Sequence, residues 1–164
     1  MPDDEKNGPQ EIPKTIGELY DFNFTRRRGD DRKVGITYGE VSDHVADRLQ
    51  KELGLEVHGF DLRINEQGIR HAEDEHGADE EWRGEQLPLE KSDYEKIPEV
   101  MENPEKIKLV GYTRQNLPLI QFKKRVNGHL LVVNAFHGGK KSKYLEFQSM
   151  YKYRREEKRE PDKA

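Results

Sequence analysis

Two histidines, His71 and His76, sit in the run Arg70-His-Ala-Glu-Asp-Glu-His-Gly77. Imidazole changes charge near neutral pH, so two imidazoles in unequal surroundings suit paired proton transfer, one taking and one giving. Five residues on a helix correspond to about 140° of rotation, so the two do not share a face as a metal-binding pair four apart would. His76 falls in the last turn, where the helix dipole favours the imidazolium. The spacing is not that of a metalloprotease HExxH helix, although His71, Glu75 and His76 are also a conceivable ligand set. The plain alternative is one helix-end cap and one solvated side chain, with Glu73, Asp74 and Glu75 as a solvated face. Four more histidines occur, His44, His58, His129 and His137, and His137-Gly138-Gly139 reads as a flexible turn.

A second set of candidates lies in two strand-like runs near the end of the chain. Strict alternation in Leu117–Val126 puts Leu119, Gln121, Lys123 and Arg125 on one face and Ile120, Phe122 and Lys124 on the other. In the run from Leu145 to Tyr151 it puts Leu145, Phe147, Ser149 and Tyr151 together, with Glu146, Gln148, Met150 and Lys152 opposite. A cation, a hydroxyl and a histidine gathered on an open sheet face would hold a phosphodiester and stabilise the charge that builds on phosphorus. The plain alternative is a basic solvent-facing strand with its aromatic residues in the core.

The elements that must position these groups differ between the two halves of the chain. Residues 38–53 read as a helix, with Val41, Val45, Leu49 and Leu53 in one stripe and Gly54 as its stop. Residues 55–63 read as extended, Ile64 to His76 as a second helix weakened by Gly68, and 78–90 as an acidic loop. Ser92 to Glu102 reads as a third helix, capped by Ser92 and broken at Pro98. Four strand-like runs follow from Ile107, joined by short turns, of which Asn127-Gly128 is the clearest hairpin signal. Short turns force antiparallel neighbours. The expected fold is therefore α+β, two or three helices on a four-stranded antiparallel meander.

Composition sets limits. The 164 residues hold no cysteine, which excludes disulfides, thiolate metal sites and cysteine nucleophiles. No run reaches the ~20 apolar residues of a membrane span, and no signal peptide is visible, so a cytoplasmic, non-membrane protein is expected. The net charge of -4 is unevenly distributed. Residues 106–155 carry 12 Lys and Arg and one acid, Glu146, whereas residues 1–105 carry 14 basic and 28 acidic groups. The basic stretch could bind a polyanion, or the two halves could neutralise each other.

The order of these features resembles the phage-associated branch of the barnase–EndoU–colicin–RelE-like (BECR) nucleases. The resemblance covers roughly residues 58–153. It rests on Arg70–Gly77, on Ile97-Pro-Glu-Val-Met-Glu-Asn-Pro104, and on Ser149-Met-Tyr-Lys152. The barnase-like domain is expected over 33–155, with a segment at 1–32 read as disordered or loosely docked and a disordered tail at 156–164. The resemblance also implies a ribonuclease working without metal or other cofactor, in which the RNA 2′-hydroxyl is the nucleophile and the product ends are a 2′,3′-cyclic phosphate and a 5′-hydroxyl. His71, Lys123, Ser149 and Tyr151 carry over as catalytic positions together with His76, although the family more often has Thr where Ser149 stands. Lys124 fits as well as Lys123, and which histidine is base stays open, with His71 preferred. Arg70, Lys124, Arg125 and Lys152 are implied as substrate contacts. The implied partners are RNA, tRNA among the candidates, and an immunity or inhibitor protein, in the setting of a phage or mobile-element effector or toxin. The competing readings are a binding module without catalysis, a phage structural domain and a metal-dependent nuclease.

Overall fold

The computed structural model describes residues 12–25, 34–76, 86–126 and 128–153. The expected N-terminal linker up to residue 11, most of the acidic loop, Asn127 and the tail at 156–164 lie outside the described residues. So do the side chains of Glu75 and His76.

The four runs of the second half form β4 (Lys106–Tyr112), β5 (Pro118–Arg125), β6 (His129–Gly138) and β7 (Lys143–Tyr153), paired antiparallel in sequence order. Asn116 and Gly128, in the turns on either side of β5, have positive φ values of 70° and 99°. Asn and Gly are the residues that accept this conformation with little strain. The meander is not the whole sheet. Gly35–Glu40 forms β1 and Asp61–Asn65 forms β2, which pair antiparallel, and β2 then lies parallel to the start of β7. The order is β1-β2-β7-β6-β5-β4, with Gln86–Leu87 (β3) pairing the far end of β7. The expected four-stranded antiparallel sheet is thus the greater part of a larger mixed one. Its extra strands are reached only by long-range pairing, which no local pattern announces.

The first-half boundaries shift accordingly. The helix read over 38–53 is strand up to Glu40 and helix α2 at Asp43–Leu53, with α1 at Ile16–Thr25 before it. Val45, Ala46 and Leu49 are buried as the stripe requires, and Gly54 closes α2 in the left-handed conformation at φ 71°. The second helix starts later than expected. Leu62 and Ile64 are buried between half-exposed Asp61, Arg63 and Asn65, which is strand alternation, and helix α3 runs Glu66–His76. The third helix is broken near Pro98 as expected, into α4 (Lys91–Glu95) and α5 (Ile97–Glu102). Its cap is Glu90 rather than Ser92: the Glu90 N–H donates to Asp93 Oδ2 at 2.8 Å. Residues 16–25, read within a loose N-terminal segment, bury Ile16, Leu19 and Phe22 in the core.

The helices cover one face of the sheet, where Ile120, Phe122, Leu130, Val132, Leu145, Phe147 and Met150 join the core. Strand β7 departs from strict alternation. Ser149 pairs with Val133 and Phe147 with Asn134, so Gln148 is an extra residue, a bulge. Beyond it the faces exchange. Met150 and Lys152 stand with Leu145 and Phe147 on the helix side, and Ser149 and Tyr151 stand with Glu146 on the other.

Lys152 therefore points into the core, where its Nζ donates to Asp93 Oδ2 at 2.8 Å. Asp93 is fully buried. Lys152→Met leaves that carboxylate without its counter-ion and is expected to cost about 3–5 kcal/mol. Adding Asp93→Asn should recover a large part of the loss. Urea unfolding of both variants checks this, and equal stability of Lys152→Met and the parent chain would contradict it.

Candidate active site

Helix α3 is held at three points. Gly68 touches β7 so closely that an added Cβ would lie 2.8 Å from Phe147 Cδ2 and 2.9 Å from the Phe147 carbonyl oxygen. Arg70 donates to Asn23 Oδ1 on α1 at 2.8 Å, and the Tyr94 hydroxyl of α4 donates to Glu73 Oε2 at 2.9 Å. Burial, reinforced by Glu73, pushes the Tyr94 hydroxyl well above the usual tyrosine range, so it stays a proton donor. Glu73 is thus a structural contact rather than part of a solvated face. The helix fills a gap: β2 pairs β7 only at residues 144–146 and β3 only at 152–153. Asn65, at the end of β2, starts the helix by accepting the Gly68 N–H through Oδ1 at 2.9 Å.

A cleft of about 380 Å³ opens where β2 leaves β7. Asn65, Gln67, Gly68 and His71 line it from the β2–α3 junction, and Thr113, Gln115 and Leu117 from the β4–β5 turn. Ala135 and His137 of β6 and Glu146, Phe147 and Gln148 of β7 complete it. The volume is within the range of small-ligand sites, roughly 300–1,000 Å³. Glu146 is oriented by Asn65, whose Nδ2 donates to Oε2 at 2.7 Å. His137 stacks on Tyr144, centroids 4.3 Å apart and planes 11° from parallel, and the Arg63 guanidinium lies 4.2 Å from the Tyr144 ring centre. Burial holds the His137 imidazole below the usual histidine range; Glu146 opposes this and Arg63 assists it.

Of the residues singled out beforehand, His71 lies in the cleft. His76 is the last residue of α3. Ser149, Lys123 and Tyr151 are on the same sheet face as Glu146 but outside the cleft's lining. Cross-strand pairing sets Ser149 beside Val133 and Gln121, and Tyr151 in line with Leu131 and Lys123. The latter row is roughly 13 Å along the strands from the Glu146 row. Lys123 is buried. Lys124 faces the helices and donates to the Asn103 carbonyl at 3.0 Å, Arg125 is exposed at the end of β5, and Arg70 is turned to α1. Exposed cations stand instead at one end of the sheet: Arg114 in the β4–β5 turn, Lys140 and Lys141 in the β6–β7 turn, and Lys143 at the start of β7.

Sequence reasoning passed over His137 and Glu146. Glu146 carried a signal, as the lone acid among 12 basic residues. His137 carried none beyond its residue type, since its cleft position depends on the β6–β7 pairing. The remaining histidines lie apart. His58 is clamped on the surface between Glu56 and Asp47, whose hydrogen bonds at 2.6 and 2.8 Å raise its basicity. Among the described residues no three histidine or carboxylate side chains gather where they could hold one metal ion, and no helix is long and apolar enough to cross a membrane.

An α+β domain with a basic end and a two-histidine cleft is a suitable frame for acting on a polyanion. The family model described as phage-Barnase-EndoU-ColicinE5/D-RelE like nuclease3 matches residues 39–160, and the chain belongs to that family. No curated protein and no solved structure matches it. Family membership makes nucleic acid the substrate class and associates the chain with phage. The matched span takes in every residue that lines the cleft.

The glycine contact is the point most easily disturbed. Gly68→Ala gains about 1 kcal/mol of helix propensity, yet it presses a methyl group against the Phe147 backbone. The expected net result is a loss of about 1–3 kcal/mol in denaturant unfolding. A variant more stable than the parent would show that α3 can move off β7 freely.

Proposed function

We propose that the chain is an endoribonuclease that cleaves RNA without a metal ion, by attack of the 2′-hydroxyl on the adjacent phosphorus. The observation that carries this reading is the meeting of His71 and His137 in one cleft. One imidazole accepts the 2′-hydroxyl proton as the 2′-oxygen bonds to phosphorus. The other gives a proton to the 5′-oxygen as the phosphorus–O5′ bond breaks. The ends left are a 2′,3′-cyclic phosphate and a 5′-hydroxyl, and no protein nucleophile is needed. Side-chain amides of Gln67, Gln115 and Gln148 in the cleft are available to donate to the phosphoryl oxygens. His137 takes the place beside His71 that the family resemblance had given to His76.

The substrate enters from the end of the sheet that carries Arg114, Lys140, Lys141 and Lys143, exposed cations that attract phosphates. The same cations favour a second reading, RNA binding without cleavage.

The test is incubation of the chain with total tRNA and with single-stranded RNA, at low salt and in excess chelator. His71→Ala and His137→Ala are each expected to lower kcat/KM by roughly 10²–10⁴, and His76→Ala to leave it near the parent value. A 2′-deoxy substrate should remain intact. Cleavage that stops in chelator, or that proceeds on DNA, would overturn the mechanism. Tight salt-sensitive binding with no cleavage would favour the second reading.

A further inference from the structure

The cleft's two imidazoles are not equivalent, because only one is part of a column of stacked groups. Tyr144 of β7 lies between two neighbouring strands. From β6, His137 stacks on it nearly parallel at 4.3 Å, and from β2 the Arg63 guanidinium lies 4.2 Å from its ring centre. We propose that Arg63 and Tyr144 are positioning residues that fix the ring of His137 and make it the proton acceptor of the cleft, leaving His71 as the donor. The inference rests on the ribonuclease reading for the reaction itself, but the column exists without it.

The argument is electrostatic and geometric. A tyrosine ring attracts a cation through its electron-rich face, and Arg63 already uses that attraction. A protonated His137 would place a second cation on the same ring. A neutral imidazole stacks there without that repulsion. Around His137, Arg63 is the cation contributed by β2, Glu146 the acid contributed by β7, and His71 the titratable group contributed by α3. Thr113, Gln115 and Leu117 of the facing turn carry no charge. Lys140 and Lys141 follow His137 in the chain and are exposed. Among the described residues Glu146 is the group that favours the imidazolium, and its carboxylate already accepts a hydrogen bond from Asn65. Burial is the largest influence on the ring, Glu146 opposes it and Arg63 adds to it, and the resulting direction is toward a neutral imidazole.

A neutral His137 takes the 2′-hydroxyl proton, the 2′-oxygen closes on phosphorus, and the phosphorus–O5′ bond breaks. His71 then supplies the proton to O5′. The acidic limb of the kcat/KM profile therefore reports His137 and should fall below the ordinary histidine value of about 6.5.

The experiment joins an NMR titration of the His137 ring to pH profiles of RNA cleavage. Both are run on the parent chain, Arg63→Gln, Tyr144→Phe and Tyr144→Leu. Arg63→Gln is expected to raise the His137 midpoint and to move the acidic limb in the same direction. Tyr144→Phe keeps the stacked ring and should behave as the parent, whereas Tyr144→Leu should lower kcat with little change in KM. A His137 midpoint that ignores Arg63→Gln while cleavage is intact would sink the column alone. A midpoint that moves without the acidic limb would remove His137 from the base role. If the parent chain cleaves no RNA at any pH, the ribonuclease reading fails and takes the base assignment with it, while the titration still decides whether Arg63 acts on His137.

Discussion

The close approach of Gly68 to Phe147 is the contact on which the site depends. A helix packed on a sheet is ordinarily held off by the side chains between them. Here a helix meets the exposed edge of a strand, with no side chain between its backbone and the Phe147 carbonyl. That approach is possible because β2 leaves β7 after residue 146 and β3 does not arrive until 152. The gap places the first turn of α3, and His71 with it, at the side of β7 where Glu146 and Gln148 come forward. Arg70 and Glu73 then fix rotation about the helix axis through α1 and α4, leaving His71 to face the cleft.

The charge asymmetry of the sequence resolves into two different uses. Part of the basic half is consumed internally: Lys152 neutralises buried Asp93, and Lys124 is tied to a backbone carbonyl at the end of α5. The acidic half supplies Asp93 for the first of these, so mutual neutralisation is real but local. Among the described residues, exposed cations at that end of the sheet are those of the two turns and Lys143 at the start of β7. Turn positions keep long side chains hydrated and mobile, which suits loose attraction of phosphates better than fixed recognition. A basic strand read as an open binding face was thus the right composition in the wrong places.

Much of the fold was legible, and the failures have identifiable causes. The four late strands are bounded by turn residues with a mechanism, so β4 to β7 fall within a few residues of their expected limits. Strand β1 was missed and β2 was anticipated only as part of an extended segment at 55–63, because each is short and joined to its partners by pairing across long stretches of chain. The bulge at Gln148 was invisible because alternation carries no signal of an inserted residue. One residue of slip moved Ser149 and Tyr151 off the face of Phe147 and put Lys152 into the core. Gly68 was read as a weakness in a helix, when close contact is what requires it. His71 was recognised by residue type and motif, whereas His137 was set aside because glycines follow it.

His137 and His71 are 66 positions apart in the sequence and belong to halves of opposite charge. Neither half holds a complete site. Helix α3 brings one imidazole, the end of β2 brings the Asn65 amide that orients Glu146, and the meander brings Glu146 and the second imidazole. Arg63 and Tyr144 cross the same boundary, one on β2 and one on β7. The parallel pairing of β2 with β7 is therefore more than an extension of the sheet. It sets Arg63 across from Glu146 in register and brings the α3 start beside them. A meander without that added strand would keep its core and its basic turns, but His71, Arg63 and Asn65 would have no fixed relation to the cleft.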